Sequence, residues 1–256
     1  MIARTENDKA RIRASGKILA EVLDAIAAAT VPGVSSLELD TLAQKLIKEK
    51  GAKPVFLHYQ PEGESRPYPA AICLSVNDMV VHGIPNEHPF TIKDGDIVSI
   101  DSGVVFDGIV TDATKTVIAG RADPKDRQFL AAAEEALEAG IAAAKAGGRV
   151  GDISAAIEAI ARVYGYGVPV MFGGHGVGKK LHEEPFIANW GREGTGPELE
   201  EGLVIAIEPI FTRGKPNIIF NEKDGYEAKT RDHSRAVQVE HTVIVGKDGG
   251  EVVTRA

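Results

Sequence analysis

The sequence predicts an α+β fold in which two similar halves share one antiparallel sheet that is covered by helices. Each half of the chain has the pattern of two helices followed by several strands. Each half also places an acid six residues after a glycine, in GDIVSID (residues 95–101) and GLVIAIE (residues 202–208). The length of 256 residues is enough for one large domain. We therefore expect a single domain over residues 1–256, with halves at about 5–120 and 121–248.

The composition excludes several classes of protein. Hydrophobic residues make up 43% of the chain and charged residues 26%, and no apolar run approaches the roughly 20 residues that a membrane-spanning helix needs. The formal net charge of −8 disfavours a role in binding nucleic acid. Cys73 is the single cysteine, which excludes an internal disulfide and is typical of a reducing compartment. We expect a cytoplasmic protein whose partners include neither DNA nor a membrane.

Helical spacing of apolar residues predicts the first two elements. Residues 6–30 carry an apolar stripe, and Pro32 and Gly33 end that helix. The stripe consists of Ile12, Ile18, Leu19, Val22, Leu23 and Ile26. A second helix is expected to begin at Ser36, whose hydroxyl would cap it, and to end near Gly51.

Proline and β-branched residues predict the rest of the first half. Four prolines between positions 52 and 71 preclude a long helix there, so we expect a loop. Short runs rich in Val and Ile, separated by glycine and asparagine, then predict strands. These strands are expected at residues 72–75, 80–81, 97–100, 104–106 and 109–111.

The second half repeats this order of elements. An alanine-rich helix is predicted over residues 123–146, where Gly147 and Gly148 end it. Asp152 is expected to cap the next helix, as Ser36 does in the first half. Strands are then predicted at residues 202–207, 218–220 and 236–245.

Two acids in the first half should face each other on a hairpin. The Asp107-Gly108 pair is typical of a two-residue turn, which sets Gly103 opposite Asp112. Asp101 then points to the same face as Asp112, roughly 7 to 8 Å away, and the missing side chain of Gly103 leaves room between them. Two solvated acids are the ordinary alternative, but the strand is apolar on both faces, which favours burial and a bound cation.

The second half contains a similar pair of acids. Glu208 follows an apolar strand and precedes Pro209, while Glu240 lies within AVQVEHTVIV, residues 236–245. The Asp224-Gly225 pair, almost midway between them, predicts a turn, so the glutamates are expected on adjacent strands with bulges between them. Four buried acids require compensation, and two divalent ions would neutralise them.

Three of the seven histidines stand beside glycines or in other constrained settings. His82 lies in VVHGIP, while His175 and His182 lie in GGHGVGKKLHEEP, residues 173–185. Glycines let the backbone approach a ligand closely, which favours a functional role over a structural one.

The segment around His175 also fits part of a phosphate-loop pattern. Lys180 stands where that pattern requires a Ser or Thr, so we reject nucleotide binding.

Six motifs in this order and spacing resemble the type I methionine aminopeptidases. The motifs are SVNDMVVHGIP, the Asp101 and Asp112 pair, GHGVG, HEEP, IEP and VEHT, and the likeness runs from about residue 5 to residue 246. These enzymes belong to the M24 peptidases and have the pita-bread fold, which prolidase and creatinase share. The resemblance therefore implies a metal-dependent hydrolase that removes N-terminal methionine.

The resemblance also implies roles for individual residues. The metal ligands of the family fall on Asp101, Asp112, His175, Glu208 and Glu240, with Asp112 and Glu240 bridging two divalent ions that are Co, Mn, Fe or Zn. The other two histidines of the motifs match residues that contact substrate, and Glu208 matches the residue that moves the proton. The catalytic residues are thus expected to be His82, His182 and Glu208.

The pocket for the methionine side chain departs further from the family pattern. The resemblance places Tyr68, Cys73, Leu181 and Tyr226 in this pocket, together with His82 and His182 at the scissile bond. The loop over residues 56–69 is longer than usual, and Leu181 stands where aromatic residues are common. The implied substrates are peptides and nascent chains with N-terminal methionine, bound near the ribosome by a monomer.

Two other functions fit the same motifs. Another pita-bread exopeptidase, such as an Xaa-Pro aminopeptidase, would have the same five ligands, although a narrow apolar pocket favours methionine. A non-catalytic pita-bread protein that binds ribosomes or nucleic acid would have lost ligands. All five ligands are present and the net charge is −8, so the second alternative ranks last.

Overall fold

The computed structural model describes residues 1–61, 63 and 65–255; Glu62 and Glu64 of the predicted loop, and Ala256, lie outside the described residues. Four α-helices are found in the described part of the chain, two in each half. They are α1 (Glu6–Ala29), α2 (Ser36–Glu49), α3 (Pro124–Ala143) and α4 (Val150–Tyr164). A search of the described residues finds no helix with the length and apolar character needed to cross a membrane.

The start of α2 lies at the predicted place, but the capping residue differs. Ser35 is the N-cap, and its hydroxyl accepts from the backbone N–H of Leu37 at 3.3 Å. Ser36 is the first helical residue, so the predicted cap is wrong by one position. Its buried hydroxyl instead donates to the carbonyl of Pro85 at 2.7 Å and accepts from the N–H of Phe90 at 3.0 Å. Ser36 thus ties the helix to a distant loop.

The helices of the second half also differ from the prediction at their ends. Helix α3 ends at Ala143, three residues before the predicted end, so Gly147 and Gly148 lie in the following turn and not at its C-cap. Asp152 is not the N-cap of α4. It is the third helical residue, and its carboxylate accepts from the backbone N–H of Arg149, the N-cap, at 2.7 Å.

The first half is built around one long hairpin. Its strands are β1 (Lys53–Pro54), β2 (Ile72–Val76), β3 (Met79–Val81), β4 (Ile97–Phe106) and β5 (Ile109–Ile118). The short strands predicted between residues 97 and 111 are parts of β4 and β5, which pair without interruption. The predicted register is confirmed, because Gly103 lies opposite Asp112 and Phe106 opposite Ile109. Strand β4 also pairs with β1 and β2.

The strands of the second half are shorter. They are β6 (Gly173–Gly176), β7 (Glu183–Ala188), β8 (Val204–Ile207), β9 (Ile210–Thr212), β10 (Ile218–Phe220), β11 (Ala228–Thr230), β12 (Ala236–Gln238), β13 (His241–Val245) and β14 (Gly250–Val252). The strand predicted over residues 236–245 is therefore broken into β12 and β13. One five-stranded sheet has the order β14-β13-β8-β6-β7, while β9 pairs with β12, and β11 pairs with β10 and β3.

The two halves meet at their central strands. The backbones of Thr114 in β5 and Glu240 exchange two hydrogen bonds, of 3.3 and 3.1 Å. The strands form four hydrogen-bonded groups, and this bridge links the two largest. Side chains of α1 and α2 pack on the first-half strands in one hydrophobic core, and those of α3 and α4 pack mainly on the second-half strands in another, which also contains Ile97 of β4. The division of the chain at residues 5–120 and 121–248 stays a prediction.

Candidate metal centre and substrate pocket

The first-half hairpin places two carboxylates on one face. Asp101 in β4 and Asp112 in β5 are both buried, with 7% and 4% of their surface exposed. Gly103 lies between Asp101 and the turn, and directly opposite Asp112. A Cβ atom on Gly103 would lie 3.3 Å from Oδ1 of Asp112 and 2.4 Å from Cγ1 of Val55. The missing side chain of Gly103 therefore leaves room for the methyl group of Val55 beside Asp112.

The second-half acids lie where paired strands are interrupted. Ile207 pairs with His241, and Ile210 with Gln238, so the ladder breaks between these two pairs. Glu208 and Glu240 both fall within this break. Two residues lie in the break on each strand, so the strands keep their register, Glu208 stands opposite Glu240, and the bulge expected between the two glutamates is not found. The turn at Asp224-Gly225 connects β10 to β11 and lies beyond the β9–β12 pair that flanks the acids.

Glycines bring His175 up to the acids. A Cβ atom on Gly174 would lie 2.0 Å from the carbonyl oxygen of Ala206, so only glycine lets β6 approach β8 this closely. His175 Nε2 lies 3.7 Å from Oδ2 of Asp112. Its Nδ1 lies 3.0 Å from the carbonyl oxygen of Gly176, which accepts only if Nδ1 carries the proton. Nε2 is then unprotonated and faces the carboxylates.

Three of the five predicted ligands come together at metal-binding distance. One ligand atom each from Asp112, His175 and Glu240 lies within 4.8 Å of the others. Asp101 and Glu208 line the same cavity as Asp112 and His175, whereas Glu240 is almost wholly buried behind them. Residues of the two halves therefore converge on one centre.

The centre carries more negative charge than a buried site tolerates. Burial raises the pKa of Asp101 to about 7. Burial and the charges of neighbouring acids raise the pKa of Asp112, Glu208 and Glu240 well above the ordinary range. Such shifts mean that the four carboxylates resist ionising together unless positive charge is added.

Unpartnered oxygens show where this charge would be added. Oδ1 of Asp101, Oδ1 of Asp112 and Oε1 of Glu240 are buried without a hydrogen-bond partner. Other oxygens of the glutamates do have partners. Thr114 donates its hydroxyl to Oε2 of Glu240 at 3.0 Å, and Gln238 donates to Oε1 of Glu208 at 2.8 Å, which fixes the position of both carboxylates. Carboxylate oxygens with one imidazole suit divalent transition metals, so the residues present fit a metal centre.

A cavity of about 710 Å³ opens onto this centre. The structure brings every residue predicted to bind substrate to its wall: His82, His182, Tyr68, Cys73, Leu181 and Tyr226. One wall is aromatic and well fixed. Tyr68 packs against Tyr226 with ring centres 5.1 Å apart, and donates its hydroxyl to the carbonyl of Gly83 at 2.8 Å. The predicted side-chain pocket thus lies beside the acids.

Both histidines predicted to contact substrate face the cavity. His82 has a positive φ of 60° and lies next to Phe172, with ring centres 6.1 Å apart. The ring of His182 packs edge-on to that of His175 at 4.5 Å. The surrounding protein lowers the pKa of both His82 and His182 below the ordinary value, and the charge of His182 adds to the shift at His82. Both are therefore neutral near pH 7.

Sequence reasoning missed several residues of the wall. Tyr59, Phe172, Phe186 and Phe220 line the cavity. Phe172 and Phe186 flank the two histidine motifs directly, so a search for aromatic neighbours of those motifs would have found them. Phe220 belongs to β10, far along the chain from any motif, and no local signal marks it.

Comparison with known proteins agrees with this geometry. A sequence model of metallopeptidase family M24 matches residues 10–247. The chain belongs to metallopeptidase family M24. As an M24 member it is a hydrolase, and its buried carboxylate and histidine group is a divalent-metal site.

Individual M24 proteins resemble the chain over nearly its whole length. A methionine aminopeptidase of Aquifex aeolicus is 44% identical over 246 residues, which cover 95% of each chain. A crystal structure of methionine aminopeptidase from Rickettsia prowazekii matches with a TM-score of 0.93 at 38% identity, covering 99% of this chain and 100% of that one. Prolidase from Pyrococcus furiosus matches with a TM-score of 0.74 at 24% identity, over 100% of this chain and 66% of that one. The expected pita-bread fold is confirmed.

Proposed function

We propose that this M24 protein removes the N-terminal methionine from peptides and nascent chains by metal-dependent hydrolysis. The observation that carries the proposal is the cavity in which a buried acid and histidine centre adjoins a pocket of aromatic and sulfur-containing residues. Relatives named methionine aminopeptidase, at up to 44% identity over almost the full chain, support the choice of substrate.

We assign five ligands to two divalent ions. Asp101, Asp112, His175, Glu208 and Glu240 would hold them, with Asp112 and Glu240 shared between both. Mn, Fe, Co and Zn suit this set of oxygens and one imidazole. Bound ions would activate water and polarise the scissile carbonyl group. The substrate's α-amine would bind beside Asp101, which limits the reaction to the end of a chain.

The protein's own side chains would carry the proton and the developing charge. Glu208, held by Gln238, takes the proton from the attacking water and passes it to the departing amine. His182 donates a hydrogen bond to the carbonyl oxygen as negative charge develops there. His82 contacts the nitrogen of the scissile amide. Both histidines are neutral near pH 7, so each can donate one hydrogen bond.

The apolar side of the cavity would bind the methionine side chain. Tyr68, Cys73, Leu181 and Tyr226 are buried and border one hydrophobic cluster together with Phe56. An unbranched thioether fits a narrow pocket of aromatic edges and a thiol. We further propose that the protein acts as a cytoplasmic monomer on chains emerging from the ribosome.

Peptide hydrolysis tests this proposal against an Xaa-Pro aminopeptidase. We expect chelated protein to cleave Met-Ala-Ser only after a divalent metal is added back, and to cleave Ala-Pro-Ser at least a hundredfold more slowly. Acetyl-Met-Ala-Ser is the matched control, and it should resist cleavage because its amine is blocked. Faster cleavage of Ala-Pro-Ser, or cleavage of the acetylated peptide, would contradict the assignment.

A further inference from the structure

A tyrosine of the loop between β1 and β2 holds the ring of His182. The hydroxyl of Tyr59 lies 3.0 Å from Nδ1 of His182, and the two ring centres are 5.6 Å apart. Both side chains line the 710 Å³ cavity. A neutral imidazole has one nitrogen that accepts and one that donates. If Tyr59 donates to Nδ1, the ring proton must be on Nε2.

The position of Tyr59 is fixed by its backbone. Its N–H donates to the carbonyl of Phe56 at 2.9 Å, and its carbonyl accepts from the N–H of Tyr68 at 2.8 Å. Tyr68 is itself anchored, because its buried hydroxyl donates to the carbonyls of Ile72 and Gly83. The Tyr59 hydroxyl therefore projects from a well-held stretch of the loop, which suits it to hold a second ring.

We propose that Tyr59 is a positioning residue that keeps His182 in the Nε2–H tautomer. That tautomer can donate to the carbonyl oxygen of the scissile bond, whereas the other would present a lone pair and repel it. The contact with His175 constrains the ring of His182 from another side, with ring centres 4.5 Å apart. The proposal rests on the proposed function, because Tyr59 would affect the reaction only by holding His182, whose contact with the substrate belongs to that function.

Tyr59→Phe tests this by removing the hydroxyl and keeping the ring. For Met-Ala-Ser we expect kcat to fall about tenfold, with KM within about twofold and metal content unchanged. Nitrogen-15 NMR of the metal-free, histidine-labelled protein should show His182 as Nε2–H in the wild type and as a mixture in the variant. Tyr164→Phe is the matched control. It removes a surface hydroxyl that donates to Glu135, and should change neither measurement.

The outcomes separate the two proposals. An unchanged kcat with an unchanged tautomer would overturn the role of Tyr59. A rise in KM alone would also overturn it, because Tyr59 would then contact the methionine side chain. If the wild type cleaves no Met-Ala-Ser, the proposed function fails, while the NMR comparison still decides whether Tyr59 sets the tautomer.

An independent observation concerns the surface outside the cavity. Ten large hydrophobic side chains of the described residues are exposed, and five of them lie on three segments, at residues 170–171, 186–190 and 220, each of which supplies a residue to the cavity wall. We call these five the outer rim: Val170, Met171, Phe186, Trp190 and Phe220. A cluster of this kind is typical of a binding surface.

The outer rim is continuous with the cavity. Met171 and Phe220 line the cavity as well as the surface, and Phe220 packs against Phe172 with ring centres 6.1 Å apart. Trp190 extends the rim outward, and its Nε1 donates to the carbonyl of Val170 at 3.2 Å. A ligand that fills the cavity and continues beyond its mouth must therefore cross the rim.

We infer that the outer rim binds the third and fourth residues of the substrate and favours apolar side chains there. This inference also rests on the proposed function, which places the methionine and the scissile bond inside the cavity. An extended chain advances by about 3.5 Å per residue, so the third and fourth residues lie about 7 to 10 Å beyond the methionine. Apolar side chains at those positions would lose contact with water against the rim.

Two matched peptides test the inference. We expect kcat/KM to be about tenfold higher for Met-Ala-Leu-Leu-Ser than for Met-Ala-Asn-Asn-Ser, because apolar area is buried against the rim. Val170→Ser should lower this ratio about twofold, since Val170 belongs to the rim and does not line the cavity. Val163→Ser is the control, because Val163 is an exposed apolar residue of α4 and should leave the ratio unchanged.

Fluorescence gives a readout that does not depend on turnover. Trp190 is the single tryptophan of the chain, so its emission reports on the rim alone. The leucine peptide should shift this emission at concentrations where the asparagine peptide does not. A wild-type ratio near one with no emission shift, or a ratio that Val170→Ser leaves unchanged, would overturn the inference. Absence of all cleavage with a selective emission shift would overturn the proposed function instead.

Discussion

The two halves supply their acids to the centre in different ways. In the first half, Asp101 and Asp112 stand on ten-residue strands whose pairing is uninterrupted. In the second half, Glu208 and Glu240 stand in a break between two short ladders. A regular hairpin can present two side chains by alternation alone, whereas the longer glutamates project from a short gap in the ladder, across which the strands keep their register.

Pro209 accounts for part of the break. Proline has no N–H to donate to a neighbouring strand, so the ladder cannot continue through this position. Its carbonyl still accepts from the N–H of Val239 at 3.1 Å, which keeps the two strands together. The difference between the halves is therefore a local interruption within otherwise similar strand pairs.

The largest expected effect comes from removing the first-half acid that we propose both ions share. Asp112→Asn should lower kcat for Met-Ala-Ser by more than about a thousandfold and abolish metal binding, because an amide is a poor bridge between two cations. Glu240→Gln should do the same if the halves contribute equally. Metal content and kcat measured on one preparation check both.

A matched control for the first half lies on the same hairpin. Asp107→Asn changes the exposed turn, where asparagine tolerates the positive φ of 48°, and should leave metal content and kcat unchanged. Full metal occupancy and turnover in Asp112→Asn would show that the ligand assignment is wrong. Loss in Asp112→Asn but not in Glu240→Gln would mean that only the first half binds metal.

The same comparison explains which features the sequence predicts. The turn at Asp107-Gly108 fixes the register of the first hairpin, so the facing of Asp112 and Gly103 can be counted from the residue order alone. The break at Glu208 and Glu240 depends on contacts far along the chain. Its existence is predictable from Pro209 and the long connection, but its geometry is not.

The cap of α2 and the cavity wall differ in what a local pattern can predict. Ser35 forms a capping box with Glu38, whose carboxylate accepts from the Ser35 N–H at 2.8 Å, whereas Leu39 stands three residues after Ser36. The local pattern therefore identifies Ser35 as the cap, and the sequence prediction overlooked it. Phe220, in contrast, reaches the cavity through the packing of β10 against the rest of the fold, which no local pattern indicates.

The next largest effect tests a residue of the second half that we propose contacts the substrate and not the metal. His182→Ala should keep full metal content but lower kcat by roughly 10² to 10³, the usual loss for one donor to an oxyanion. His88→Ala is the control, because His88 is exposed and lies outside the cavity. A variant with a lowered thermal midpoint and normal kcat would instead show that His182 is structural.

The pH dependence of the metal-free protein compares the acids of both halves. Burial raises the pKa of Asp101 from 3.8 to about 7, and raises those of Asp112, Glu208 and Glu240 well above the ordinary range. The folded state therefore binds more protons at these acids than the unfolded state does. Burial lowers the pKa of His82, His175 and His241 from 6.5 to about 4, which has the opposite effect between those two values. Above about pH 6.5 only the acids remain to titrate, so the free energy of unfolding must fall as pH rises from there.

Thermal midpoints check this expectation. The chelated protein should melt at a lower temperature at pH 8 than at about pH 6.5, and added divalent metal should stabilise it most at pH 8. Asp101→Asn should reduce the difference, whereas Asp248→Asn, at an exposed position, should not. A chelated protein more stable at pH 8 than at about pH 6.5 would contradict the buried, uncompensated charge of the centre.

The smallest expected effect is on stability. It compares Gly174, next to His175, with Gly103, opposite Asp112. A Cβ atom on Gly174 would lie 2.0 Å from the backbone oxygen of Ala206, which cannot move without shifting β8. On Gly103 the nearest atom is a side-chain methyl of Val55, which can turn away. We therefore expect Gly174→Ala to lower the free energy of unfolding by about 3 kcal/mol and Gly103→Ala by about 1 kcal/mol. Denaturant unfolding of both variants checks this order, and the reverse order would mean that the hairpin is the more tightly packed half.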